Sequence, residues 1–126
     1  MTVGYLASSF DLLNVRDLDL LAQARQQCTV LIVGVFSDGV AHARTGRRPV
    51  VPVAERKALV SHVRGVSEVL VHDEYWRPLA VDTIFAVAGE PALIGIGNTW
   101  LLSPRRQTSS PVLRAALMRA PGEEVA

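Results

Sequence analysis

Asp11, Asn14, Arg16 and Asp17 lie close together in the segment FDLLNVRDLDLL, residues 10–21. Two carboxylates and an amide on one short loop could serve as acid, base or hydrogen-bond donor toward a bound substrate. Arg16 adds the positive charge an anionic substrate would need, and the arginine fork suits phosphate better than lysine does. A second group follows in GVAHARTGRRPVVP, residues 39–52, where Arg44, Arg47 and Arg48 cluster shortly before Glu55 and Arg56. Each has a plainer reading. Asp11 equally fits a turn-forming Asx residue, and the arginine cluster equally fits a solvated loop.

Whatever these residues do depends on the elements that carry them. TVGYLAS (2–8) is short, apolar and β-rich, and it precedes the first group directly. From Leu18, LDLLAQARQQ shows an approximate helical stripe. TVLIVGVFSD (29–38) is a continuous β-branched run, as expected of a central parallel strand buried on both faces. Asp38, at its end, suits a helix cap. Residues 39–52 read as a loop long enough to suspect function. VAERKALVSHVR (53–64) has helical spacing, with Glu55 in its first turn. VSEVLVH (66–72) reads as a third strand, LAVDTIFAVA (79–88) as a helix and PALIGIG (91–97) as a fourth strand. Ser110 and Pro111 could start a last helix over 110–119, before a frayed tail at 119–126.

Strands alternating with helices imply one α/β domain over 1–126, a Rossmann-like parallel sheet of four to five strands with helices on both faces. Ligands of such sheets bind outside the carboxyl ends of the strands, where the strand order switches. That places the site in the loops after residues 8, 38, 72 and 97.

The chain has 126 residues, long enough to bury a real core. Its formal net charge is +1, so no global field points to nucleic acid or an acidic membrane. Lys57 is the only lysine. Cys28 is the only cysteine, so no intrachain disulfide can form. His42, His62 and His72 lack metal-ligand spacing. No signal-like or membrane-spanning apolar run is visible, which sets the expectation of a cytoplasmic protein.

Five segments, in order, resemble the cytidylyltransferase family, nearest in pattern to the glycerol-3-phosphate cytidylyltransferases. They are SFDLL, LIVGVFSD, TGRRPVVPVAERKALV, VRGVSEVLV and GNTW (Gly97–Trp100), the last set against the family's GDDW. The resemblance implies nucleotidyl transfer by positioning and electrostatic stabilisation, with magnesium if that activity is kept. It implies CTP, another nucleotide or a small anionic molecule as ligand, and neither nucleic acid nor membrane as partner. It also implies a homodimer through the region of Arg64–Glu68. Ligand contacts carried over from the family fall on Ser8, Ser9, Phe10, Arg16, Arg44, Arg47, Arg56, Arg64, Gly97, Trp100, Arg105 and Ser109, with Trp76 and Trp100 flanking the acceptor.

The chain departs from the family where the chemistry is densest. The family's histidine-x-glycine-histidine signature is here Asn14-Val15-Arg16-Asp17. Its phosphate-binding lysine falls on Thr45, and the glycine and threonine before the FD pair become Ser8 and Ser9. Past Trp100 the family's further helix and strand look absent, with LLSPRRQTSSPVLR following at once. The expectation is a sheet truncated after its fourth strand, in a pseudoenzyme that has lost ordinary CTP-dependent transfer. Asp11, Asn14 and Asp17 would be the catalytic residues if the pocket does other chemistry.

Overall fold

The computed structural model describes residues 1–77, 80–90, 98–106 and 115–116. Five parallel strands form one sheet in the order β3-β2-β1-β4-β5. They are β1 (Val3–Ser8), β2 (Val30–Phe36), β3 (Glu68–His72), β4 (Thr83–Val87) and β5 (Asn98–Leu102). Helices α1 (Val15–Gln26), α2 (Asp38–Thr45) and α3 (Val53–Ser61) complete the order.

Strand alternation sorts the side chains into two layers. Leu6, Leu31, Val33, Val35, Phe85, Val87 and Leu102 face α1 and α3, meeting Leu20, Leu21, Ala24 and Val60 in the larger core. Tyr5, Ala7 and Phe36 face the other way, against Ala41 of α2, with Ile32, Leu70 and Trp76 packed on them. Gly34 is required by that second layer. A Cβ there would lie 1.9 Å from the Tyr5 hydroxyl oxygen, so the glycine is the space the tyrosine ring occupies.

Several expectations change. LAVDTIFAVA is not a helix: Thr83–Val87 is β4, and it lies beside β1. A short apolar run fits either period, and pairing decided it. Val3 donates to an Asp82 carboxylate oxygen at 2.7 Å, and Asp82 N–H donates to the Val3 carbonyl at 2.8 Å, stitching the segment to the open edge of β1. The strand expected at 91–97 falls outside the described residues. Nor is the sheet truncated, because β5 pairs with β4 in parallel over its whole length.

Residues 39–52 are also only partly loop. The Ser37 hydroxyl accepts from Val40 N–H at 3.2 Å and caps α2, and Gly46 ends that helix with φ 78°. The cap is therefore Ser37, while Asp38 sits in the first turn. The helix expected at 110–119 lies almost wholly outside the described residues.

Candidate functional site at the carboxyl edge of the sheet

Strand order reverses at β1, since the chain goes β1 to β2 to β3 on one side and then returns to β4 on the other. A crevice of about 240 Å³ opens there, lined by Ser8, Ser9, Phe36, Arg44, Thr45, Gly89 and Glu90. It is the location the switch-point rule requires. Ser8 and Ser9 end the first strand, Phe36 ends the second, and Gly89-Glu90 follow the fourth. The Arg44 guanidinium carbon lies 5.0 Å from the centre of the Phe36 ring, a cation–π arrangement at one wall. Arg47 and Arg48 are exposed beyond the left-handed Gly46.

The turn between β1 and α1 is unusual. Phe10 and Leu12 both have left-handed backbone, with φ 49° and 53°, a conformation that side-chain-bearing residues rarely hold. Asp11 between them is buried. Its two carboxylate oxygens accept from the N–H groups of Val50 and Val51 at 3.0 and 2.9 Å. Phe10 is packed in the larger core. These anchors fix the strained turn, and with it the start of α1.

Asn14 is the N-cap of α1. Its side-chain oxygen accepts from Arg16 N–H at 3.0 Å and Asp17 N–H at 3.3 Å, while its amide nitrogen donates to the Leu12 carbonyl at 3.1 Å. Asp17 is buried in the first turn of the helix. The Arg16 guanidinium pairs with the crevice-lining Glu90 at 3.3 Å.

Arg56 is fully buried and makes four hydrogen bonds. It donates to the carbonyls of Val51 (2.8 Å), Ser9 (2.7 Å) and Phe36 (2.7 Å), and to a carboxylate oxygen of Asp38 (2.7 Å). One guanidinium thus ties the ends of β1 and β2 to the first turn of α2 and the loop before α3. In the layer between the sheet and α2, Tyr5 and His72 share a buried 2.6 Å hydrogen bond. Trp76 stacks on both rings, with centroids 5.4 and 4.4 Å away, and Phe36 meets His72 edge-on. Burial pushes the His72 pKa down to about 4, helped by the nearby Arg44 charge and opposed by Asp73. Burial also pushes the Tyr5 phenol well up.

The fold gathers Ser8, Ser9 and Arg44 into the crevice, with Arg16 at its rim. Arg64 precedes β3 and is exposed at the opposite, amino end of the strands. Trp100 is half-exposed in the middle of β5, so the residues closing the fourth strand are Gly89 and Glu90 rather than Gly97–Trp100. Arg105 follows β5, and its N–H is held by Asp19 of α1 at 2.8 Å. Gly97 and Ser109 lie outside the described residues. Sequence reasoning missed Glu90, whose signal was a glycine and a carboxylate just past an apolar run. It also missed Tyr5 and His72, for which periodicity gives no cue.

Among the described residues, no three His, Cys, Asp or Glu side chains converge to hold a metal ion. Magnesium in phosphate chemistry usually needs only one or two protein carboxylates plus the substrate's own phosphates. Glu90 is the carboxylate among the crevice-lining residues. No helix among the described residues is long and apolar enough to cross a membrane.

A family model described as cytidylyltransferase-like matches residues 5–96. The bifunctional protein HldE of Acidiphilium cryptum is 36% identical over 73 residues, covering 57% of this chain and 15% of that protein. HldE of Caulobacter vibrioides is 28% identical over 124 residues, covering 87% of this chain and 26% of that protein. The chain therefore spans about a quarter or less of the length of these curated relatives. The crystal structure of the lipopolysaccharide core biosynthesis protein from Thermoplasma volcanium superposes with a TM-score of 0.72 at 18% identity, over 84% of this chain and 99% of that one. At that identity the likeness is one of fold.

Proposed function

This chain belongs to the cytidylyltransferase-like family, and from that premise we propose that it is a binding domain that has lost ordinary CTP-dependent nucleotidyl transfer. Its crevice keeps a nucleotide or small anionic ligand. The observation that carries this reading is the use made of Asn14. Both polar ends of its amide are engaged in capping α1 and fixing Leu12. Where the resemblance sets two phosphate-contacting histidines, the chain has this capping amide and a buried aspartate. Nucleotidyl transfer builds charge on the departing pyrophosphate, and losing one donor from such a site typically costs a factor of ~100–1,000. Thr45 stands where the resemblance puts a lysine, and its hydroxyl donates to the Ala41 carbonyl at 2.7 Å. Arg44 and Arg16 supply cationic character at the crevice, enough to favour an anion without assembling the transfer site.

The test is pyrophosphate release from CTP, magnesium and glycerol 3-phosphate, with ATP as a parallel nucleotide. The expected rate does not exceed the enzyme-free control. Turnover at an ordinary enzymatic rate overturns the reading and makes the chain an active cytidylyltransferase with an altered signature.

A further inference from the structure

The crevice has a feature at odds with anion binding. Its lining includes the carboxylate of Glu90, and that carboxylate is occupied with Arg16. The two side chains come from separate elements, the first turn of α1 and the turn after β4. Their pairing spans the rim at the switch point. Both are partly open to solvent, at 28% and 40% exposure, so the pair can exchange partners at little cost. Arg44 stands on another wall, resting on Phe36.

We infer that Glu90 is an internal stand-in for the ligand: it occupies Arg16 when the crevice is empty and yields it to the phosphate of a small phosphomonoester when the crevice is filled. Size points to that class. About 240 Å³ falls below the roughly 300–1,000 Å³ of pockets that take drug-sized molecules. A phosphate on a short polyol fits within that volume. The charge balance agrees. With Glu90 paired to Arg16, one guanidinium is neutralised at the rim. After exchange, a phosphate dianion can take a forked contact from Arg16 and lie near Arg44. Glu90 then repels the same dianion, so the carboxylate weakens every anion that enters and discriminates against those without enough charge to displace it.

This inference rests on the reading of the crevice as an anion site. The experiment is calorimetric titration of the full chain with inorganic phosphate and with glycerol 3-phosphate at low ionic strength. Glu90→Gln should tighten binding of both by about three- to tenfold, the scale of one exposed charge pair. Arg16→Ala should weaken binding, and Arg16→Ala combined with Glu90→Gln should recover less than half of the Glu90→Gln gain. Two results would overturn the exchange. One is equal affinity in wild type and Glu90→Gln. The other is a full gain that persists without Arg16, which would make Glu90 a simple source of repulsion. Absence of saturable binding in all four proteins instead sinks the anion-site reading, and the inference with it.

Discussion

Two arginine–carboxylate pairs stand at the same edge of the sheet, on opposite sides of β1, and they do opposite things. On the β2 side, Arg56 pairs with Asp38 at 2.7 Å, is fully buried, and also serves three backbone carbonyls. On the β4 side, Arg16 pairs with Glu90 at 3.3 Å, with both side chains partly in solvent. The first charge has been taken out of water, so it persists only because every donor direction shown is matched by an acceptor. The second has given up little of its hydration and can leave its partner. Burial, more than residue type, separates a framework arginine from one that can still change partners.

The contrast is broken most directly at Arg56. Arg56→Ala removes the donor from the carbonyls of Ser9, Phe36 and Val51 and leaves a void beneath them. It should destabilise the fold by about 3–5 kcal/mol, read as a lowered urea midpoint. A loss under about 1 kcal/mol would mean the carbonyls find other partners and the buried hub is not a framework.

The β2 side can be probed again through His72, which is 6% exposed and hydrogen-bonded to Tyr5. Its folded pKa of about 4 lies below the ordinary 6.5. Between those values the unfolded chain binds a proton that the folded chain refuses. The His72 contribution is therefore complete above pH 6.5 and is lost as pH falls toward 4, with a ceiling of about 3 kcal/mol. Carboxylates act in the same direction, so the measurement is the difference in slope between wild type and His72→Phe across pH 4–7. Identical slopes would show that His72 takes up its proton in the folded state as readily as in the unfolded chain.

The smallest effect is expected on the β4 side. Arg16→Ala should change stability by less than about 1 kcal/mol, because an exposed pair contributes little. A loss comparable to that of Arg56→Ala would make the Arg16–Glu90 pair part of the framework and erase the contrast.

Several elements were legible from residue type alone. The β-branched run of β2 could hardly be anything but a buried strand, and the alternation of elements pointed to the carboxyl edge, where the crevice lies. Ser8, Ser9 and Arg44 duly meet in the crevice. Other elements were ambiguous for definable reasons. α2 contains Gly39 and few apolar residues, and it is set by the Ser37 cap and the left-handed Gly46 at its ends. LAVDTIFAVA satisfied a helical period and a strand equally well. Reading it as a helix made GNTW look like the end of the fourth strand and hid Glu90 from view.

The sequence by itself determined the α/β architecture, the family and the loops that gather at one end of the sheet. Those follow from local patterns of apolar and turn-forming residues, which act over a few positions. Tertiary structure alone decided what Asp11, Arg16 and Arg56 do. Asp11 bonds residues 39 and 40 positions away, Arg56 reaches back 47 positions to Ser9, and Arg16 meets Glu90 across 74. Nothing in a local pattern encodes which of two arginines will be sealed under a turn and which left at its rim. That depends on desolvation, and desolvation is set only when distant segments close around a charge.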